Sequence, residues 1–198
     1  MSSVFSSINV LAGKVRAPVS LFESNLSAER LEAWTSAIWS GFPWEQRDAP
    51  RRECFFSTVG EPYSYGTGAG RRTYYPKPRP ELLASLTEHA QAACATEFEL
   101  CFANGYASEK QHLGWHADDS PEMDDDRPIA VMSLGAAREI WVKPIGASFE
   151  EVEKILLPSG SLFVMAAGMQ DTHLHRIPKN PFPCGPRVSL TWRGAVMG

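Results

Sequence analysis

The 198-residue sequence has few cysteines and no long apolar run, and both absences narrow the possible classes of protein. Its four cysteines are Cys54, Cys94, Cys101 and Cys184, and no two of them form a Cys-x-x-Cys pair. A disulfide framework or zinc ribbon is therefore disfavoured, and the cytoplasm is the expected location. No segment reaches the roughly 18 consecutive apolar residues of a membrane span. Residues 1–20 also lack the basic start and apolar core of a secretory signal, so no membrane partner is expected.

Internal repeats, low-complexity tracts and long linkers are also absent. With 43% hydrophobic and 21% charged residues, the composition is that of an ordinary globular protein. The length predicts a single domain over residues 1–198, and we expect a monomer.

The formal net charge of −4 conceals two opposite blocks. Residues 51–79 hold six basic side chains and two acidic ones, whereas residues 116–127 hold six acidic side chains and one basic one. Four of the five tyrosines (Tyr63, Tyr65, Tyr74 and Tyr75) lie within the basic block. Basic residues interleaved with aromatics suit a phosphate backbone and an unstacked base. The alternative is that these tyrosines pack a β-hairpin over the core.

Two amphipathic patterns predict helices early in the chain. One follows an N-cap at Ser27 and ends near Gly41, and the other runs after Pro80 from about Glu81 to Thr96. From residue 98 onward, short β-like runs are broken by turn residues. The candidate strands are Glu99–Gly105, Gln111–His116, Ile129–Leu134, Glu139–Lys143, Ser161–Met165, Thr172–Ile177 and Val188–Trp192. This spacing predicts an α+β fold in which both helices pack outside an antiparallel sandwich or barrel.

The strongest chemical signal is His116-Ala117-Asp118, near the end of a strand-like run. Side chains two residues apart on a strand share a face, so the imidazole and the carboxylate can converge on one ion. A second histidine must come from elsewhere, and His175, His173 and His112 are the candidates. Two histidines and one carboxylate form the ligand set of non-haem Fe(II) oxygenases, which leaves metal positions open. A solvated polar strand is the alternative for an isolated His-x-Asp.

The C-terminal run from Arg187 to Arg193 predicts an anion site. Its polar members (Arg187, Ser189, Thr191 and Arg193) share one face of a strand and alternate with Val188, Leu190 and Trp192. Two arginines facing the core are unfavourable unless they bind an anion. The arginine fork suits a carboxylate, although a solvated outer face remains the alternative.

Taken together, these pieces resemble the AlkB-type Fe(II)/2-oxoglutarate-dependent dioxygenases. The resemblance covers roughly residues 42–193 and rests on motifs in the family's order. They are Pro50-Arg51, Tyr63-Ser64-Tyr65-Gly66, Asn104-Gly105-Tyr106, His116-Ala117-Asp118-Asp119, His175-Arg176-Ile177-Pro178 and Arg-x-Ser-x-Thr-x-Arg at 187–193. It implies a double-stranded β-helix (jelly-roll) core over about 98–198. The two helices and a nucleotide-recognition lid then occupy about 1–97.

The resemblance also implies roles for individual residues. His116, Asp118 and His175 would bind iron as the catalytic centre, the match selecting His175 over its rivals. The implied 2-oxoglutarate site contains Arg187 at the distal carboxylate, with Tyr106, Asn104, Ser189 and Arg193. The implied substrate residues are Arg51, Tyr63, Tyr65 and Asp119. The chain departs from many nucleic-acid-directed members after Asp119, where Ser120-Pro121 stands in place of an acid.

The activity implied is oxidative removal of N-methyl groups from nucleobases in DNA or RNA, with release of formaldehyde, succinate and CO2. Its cofactors would be Fe(II), 2-oxoglutarate and O2, and its partner a single-stranded or flipped-base nucleic acid. Two alternatives remain open. The same chemistry could hydroxylate a protein side chain or a small molecule, or the fold could serve as a non-catalytic binding module.

Overall fold

The computed structural model describes residues 4–7, 16–47, 50–65 and 71–196. Two α-helices lie in these segments, α1 (Ala28–Gly41) and α2 (Glu81–Cys94). The strands, in chain order, are β1 (Phe5–Ser7), β2 (Val19–Ser24), β3 (Glu45–Gln46), β4 (Arg52–Ser57), β5 (Tyr63–Tyr65), β6 (Arg72–Tyr74), β7 (Leu100–Tyr106), β8 (Leu113–His116), β9 (Ile129–Gly135), β10 (Arg138–Pro144), β11 (Glu153–Leu157), β12 (Ser161–Met165), β13 (His173–Ile177) and β14 (Arg187–Arg193).

Two antiparallel sheets form the core. The larger sheet has the strand order β1-β2-β12-β9-β14-β7-β4-β3, and the smaller sheet has the order β11-β10-β13-β8. One apolar cluster joins them, because Val131 and Phe163 of the larger sheet pack with Ile140, Val142 and Ile155 of the smaller one. Alternating side chains of facing sheets fill such a core. The jelly-roll class predicted from the sequence is confirmed.

Both helices cover the outer face of the larger sheet. Ile38 of α1 and Leu83 and Leu86 of α2 are buried in a cluster that contains Val188 and Trp192 of β14. The indole Nε1 of Trp192 donates a hydrogen bond of 2.9 Å to the Thr87 hydroxyl of α2. Consequently β14 is buried on both faces, with polar side chains on one and apolar side chains on the other.

The helix ends follow local chemistry. The Ser27 side chain accepts a hydrogen bond from the Arg30 backbone N–H and caps α1, as the sequence predicted. The predicted end of the second helix near Thr96 is two residues too late. The helix ends at Cys94 because Ala95 adopts a left-handed conformation with φ of 51°.

The strands of the larger sheet come from both sides of residue 98. β1, β2, β3 and β4 precede the predicted sheet region, yet β2 pairs with β12 and β4 pairs with β7. β11 was not predicted either, because its alternation of exposed and buried residues covers only five positions. The boundary near residue 98 therefore does not separate an N-terminal part from the sheets.

A separate two-stranded hairpin consists of β5 and β6, in which Tyr63 pairs with Tyr74. It lies in the region for which the family resemblance implied a nucleotide-recognition lid. Within the described segments, no helix is long and apolar enough to cross a membrane.

Candidate iron and 2-oxo-acid site

His116, Asp118 and His175 converge on the inner side of the smaller sheet. His116 of β8 pairs directly with His175 of β13, and Asp118 follows β8 by two residues. One ligand atom from each of the three side chains lies within 4.8 Å of the others. Each histidine Nε2 is 3.7 Å from a different oxygen of Asp118. Two imidazoles and a carboxylate arranged this way fit Fe(II) and leave its other positions open.

The protonation of the histidines also fits a metal. His116 Nδ1 lies 2.9 Å from the Gly114 carbonyl oxygen. Because a carbonyl only accepts hydrogen bonds, Nδ1 carries the hydrogen and Nε2 presents a lone pair towards Asp118. Burial lowers the pKa of His116 and lowers that of His175 to about 3, with the neighbouring His116 adding to the effect on His175. Both rings are therefore neutral at pH 7, the form that binds a metal.

Asp118 is held as a carboxylate. Burial alone would raise its pKa, but Arg193, His175 and His116 together outweigh burial and hold the pKa of Asp118 well below its usual range. Nη2 of Arg193 donates a hydrogen bond to the Asp118 carboxylate. The Asp118 backbone N–H donates to the Gln170 side-chain oxygen at 2.9 Å. These contacts orient the carboxylate towards the two imidazoles.

Arg187 presents two free donors in the interior. Its side chain is 0% exposed and its Nε donates to the Ser133 hydroxyl at 2.8 Å. Its Nη1 and Nη2 have no hydrogen-bond partner among the described residues. Burial lowers the pKa of Arg187 to about 10, so the group stays charged at neutral pH. A buried unpaired guanidinium is unfavourable, and its free fork fits the distal carboxylate of a 2-oxo diacid.

The register of β14 and β7 places the other predicted cofactor residues beside Arg187. Arg187 lies opposite Tyr106, and Ser189 lies opposite Asn104. The Arg187 guanidinium carbon is 5.2 Å from the centre of the Tyr106 ring. Side chains two apart on a strand share a face, so Arg193 lies further along the same face. The predicted polar face of this strand is confirmed.

An aromatic cavity adjoins the triad. His116, Asp118 and Arg193 line one part of it, and the remaining lining residues are Arg51, Tyr63, Tyr74, Phe102, Asn104 and Leu113. The Tyr63 and Tyr74 rings are nearly parallel with centroids 6.1 Å apart, and Phe102 stands at 90° to Tyr74 at 4.8 Å. A flat ligand that enters the cavity therefore meets aromatic faces beside the metal ligands.

A buried polar network supports the aromatic wall. Arg51 donates from Nε to the Asn104 side-chain oxygen at 2.7 Å, and its Nη2 lies 2.7 Å from a Glu53 carboxylate oxygen. The Tyr74 hydroxyl donates to Glu53 at 2.7 Å. Arg72, on the same hairpin, lies 3.7 Å from Glu53. The network joins the hairpin to β4 and β7.

Some predicted residues lie outside this arrangement. The Tyr65 side chain lies outside the described residues, and Asp119 is exposed beyond the cavity. The rival histidines are elsewhere. His173 Nδ1 contacts the Thr172 hydroxyl at 2.8 Å, and His112 Nδ1 lies 3.3 Å from the Lys110 carbonyl.

Among the site residues that were not singled out from the sequence are Glu53, Phe102, Ser133 and Gln170. Phe102 lies two residues before Asn104 and four before Tyr106, on the same face of β7, so the strand pattern could have indicated it. Glu53, Ser133 and Gln170 have no local sequence signal, because their partners are distant in the chain.

A jelly roll with this triad on one sheet and an arginine with two free donors on the other defines a class of protein. It is a non-haem iron oxygenase that uses a 2-oxo acid. A sequence model of the 2OG-Fe(II) oxygenase superfamily matches residues 18–193. The chain belongs to this superfamily, in its AlkB-type branch, and its cofactors are Fe(II), 2-oxoglutarate and O2.

Individual relatives agree with the family. The human alpha-ketoglutarate-dependent dioxygenase alkB homolog 3 is 31% identical over 166 residues, covering 76% of this chain and 57% of the relative. The human DNA oxidative demethylase ALKBH2 is 25% identical over 197 residues, covering 96% of this chain and 73% of the relative. The chain thus spans little more than half of the first relative. The solved structure of OsALKBH1 has a TM-score of 0.63 at 17% identity, covering 91% of this chain and 98% of that chain, and shares its fold.

Proposed function

We propose that this chain removes N-methyl groups oxidatively from nucleobases in DNA or RNA. The observation that carries this proposal is the single cavity shared by the His116–Asp118 metal ligands and the aromatic wall of Tyr63, Tyr74 and Phe102. A nucleobase offers two flat faces to such a wall and projects its methyl carbon from the ring edge. The names of the relatives, a dioxygenase and a DNA oxidative demethylase, support the same conclusion.

Each side chain of the centre has a distinct part. His116, Asp118 and His175 would hold Fe(II), and Arg193 keeps Asp118 ionised and aimed at it. When bound, iron and 2-oxoglutarate supply the oxidation of a C–H bond by O2, coupled to decarboxylation of the 2-oxo acid to succinate. The hydroxymethyl group formed on a base nitrogen then leaves as formaldehyde.

The 2-oxo acid would bind between the two sheets. Arg187 supplies the two free donors for its distal carboxylate, beside Tyr106. Asn104 lies on the same face of β7 as Tyr106, and Ser189 and Arg193 lie on the same face of β14 as Arg187. These three side chains would line the site around the other end of the 2-oxo acid.

The substrate residues act by shape and charge. Tyr63 and its neighbouring rings would stack on the base, while Arg51 is fixed at the cavity by Glu53. Because a base inside a duplex cannot reach this cavity, the substrate is a single strand or a flipped-out base. Tyr65 and Asp119 are proposed as further contacts on the nucleic acid around the cavity.

Turnover of defined oligonucleotides tests the proposal. Methylated single-stranded and duplex DNA and RNA are incubated with Fe(II), 2-oxoglutarate and ascorbate, and loss of the methyl group is followed by mass spectrometry. The Asp118→Ala variant should be inactive. Tyr63→Phe should retain activity, whereas Tyr63→Ala should lose about 5- to 150-fold in kcat/KM, because stacking stabilises a bound base by about 1–3 kcal/mol.

Two results would contradict the proposal. If the iron-loaded chain consumes 2-oxoglutarate but leaves every oligonucleotide methylated, the nucleobase substrate is wrong. If Tyr63→Ala is as active as Tyr63→Phe, the base does not stack on this wall.

A further inference from the structure

The outer face of the smaller sheet carries alternating aromatic and cationic side chains. We call them the outer ladder, which consists of Lys143, Trp115, Arg176, Trp141, Lys154 and Phe149. They come from all four strands of that sheet and from the short turn before β11. None of them belongs to the site described above.

The ladder is continuous across the sheet. The Trp115 ring lies 5.3 Å from Lys143 Nζ and 5.4 Å from the Arg176 guanidinium carbon. Arg176 is also 5.0 Å from the Trp141 ring, and Lys154 Nζ is 4.6 Å from the same ring. At the far edge, the Trp141 and Phe149 ring centres are 5.6 Å apart. Cation–π contacts of this length hold the aromatic rings in place.

The far edge of this face is exposed, and its strands carry more cations than acids. Phe149 is 63% exposed, and the neighbouring Leu156 is 57% exposed. Both helices of the described chain pack on the other sheet. The acidic Glu139 shares the face and accepts a 2.7 Å hydrogen bond from the Trp141 indole. On the strands of this face the three cations of the ladder therefore outnumber it, whereas Glu150 and Glu151 lie beside Phe149 in the turn at the far edge.

The ladder begins at the edge of the sheet that carries the metal ligands. β8 is the edge strand, and its Trp115 directly precedes His116 in the chain. Arg176 likewise directly follows His175. Successive strand residues point to opposite faces, so the ladder is the reverse side of the wall that holds the triad. A nucleic-acid strand that leaves the cavity and passes around the edge strand β8 would therefore meet the ladder first at Trp115.

We propose that the outer ladder is a second binding surface for single-stranded nucleic acid, separate from the catalytic cavity. Its cations would bind phosphates, and Phe149, whose ring is exposed, would stack on a base. A protein partner fits less well, because it would bury Lys143 and Lys154, and lysine is depleted from the centres of protein interfaces. This proposal rests on the proposed function, and it extends recognition from one base to the nucleic-acid strand that carries the base.

Binding of an unmodified strand tests this surface independently of demethylation. Fluorescence anisotropy is measured with a labelled oligothymidylate of about 20 nucleotides, longer than one cavity requires. The Trp141→Ala/Phe149→Ala double variant and the Lys154→Glu variant are compared with Arg30→Glu, an exposed charge reversal on α1 at the opposite sheet. Catalytic turnover of a methylated dinucleotide, which is too short to reach the ladder, is measured alongside.

The ladder variants should bind the long strand at least about tenfold more weakly, and Arg30→Glu should bind it within about twofold of the unmodified chain. Lys154→Glu should also reduce the slope of log affinity against log salt by about 0.7 for each phosphate that the variant no longer neutralises. Dinucleotide turnover should not change in any of these variants. If the ladder variants bind the long strand as tightly as the unmodified chain, or if Arg30→Glu weakens binding equally, the proposal is wrong. A chain that never demethylates but binds in this pattern would refute the proposed function alone.

Discussion

The guanidinium of Arg193 forms an ion pair with the carboxylate of Asp118 and joins the larger sheet to the segment after β8. Both side chains are buried, with Arg193 7% and Asp118 3% exposed. Removing one member of a buried ion pair leaves the other charge uncompensated, which costs about 3–5 kcal/mol. The pair therefore stabilises the metal-free chain and also holds the Asp118 carboxylate in position to bind the metal.

The first prediction concerns this pair. Arg193→Met should lower the unfolding free energy of the metal-free chain by about 3–5 kcal/mol, as measured by urea denaturation. A divalent cation then replaces the missing positive charge. The rise in Tm on adding Co(II) should accordingly be larger in the variant than in the unmodified chain. An equal or smaller rise would show that Arg193 does not balance the charge of Asp118.

The second prediction separates two adjacent acids. Asp118→Ala should weaken Co(II) binding at least about 100-fold in calorimetric titration, because it removes the only carboxylate that contacts both imidazoles among the described residues. Asp119→Ala is the matched control, because Asp119 is exposed and does not line the cavity. Its metal affinity should stay within about twofold. Comparable losses in both variants would place the ion elsewhere.

The third prediction concerns the free donors of Arg187. Arg187→Met should weaken 2-oxoglutarate binding by about 2–5 kcal/mol, which is roughly 30-fold or more in Kd, while the Co(II) affinity is retained. In the absence of 2-oxoglutarate the variant should be at least as stable as the unmodified chain, because it no longer buries an unpaired cation. Thermal denaturation with and without 2-oxoglutarate measures both effects. A variant that keeps the full 2-oxoglutarate-induced rise in Tm would contradict this assignment.

The fourth prediction is a pH dependence. Burial, reinforced by the hydrogen bond to Glu53, raises the pKa of Tyr74 from 10.0 to about 12. The folded chain therefore keeps the phenol proton that the unfolded chain releases, and this part of the stability is lost as pH rises from 10 towards 12. Tyr74→Phe has no such proton, so its denaturation midpoint should fall less over this range. Parallel curves for the two chains would show that Tyr74 titrates normally.

The fifth prediction concerns the turn that precedes β10. Gly135 has φ of 86°, and a Cβ there would collide with the Pro186 carbonyl oxygen. Gly135→Ala should lower the unfolding free energy by about 2 kcal/mol or more, as measured in urea. Because Gly135 pairs with Arg187, 2-oxoglutarate binding should weaken as well. Gly185→Ala is the control, since a Cβ there meets nothing within 4 Å, and it should change stability little.

Much of the core was predictable because its signals are local. The 187–193 alternation predicted a strand with a polar and an apolar face, and the structure buries both. The strand Ser161–Met165 has the predicted bounds. Strands β2 and β4 were missed because their pairing partners, β12 and β7, lie far along the chain. Register between distant strands depends on which apolar faces meet, which a local pattern does not contain.

By itself, the sequence determined which residue types were available for chemistry and on which strand faces they lie. The His-x-Asp spacing and the alternating arginines follow from the period of two in an extended chain. Strand periodicity alone left three histidines open and the family resemblance selected His175, and the tertiary structure supplies the physical reason, because the pairing of β8 with β13 brings His175 to His116. Only the tertiary structure decided that Arg187 is buried with free donors and that Glu53 organises Arg51 and Tyr74. The physical reason is that burial and charge pairing depend on contacts between distant segments, which form only when the two sheets pack together.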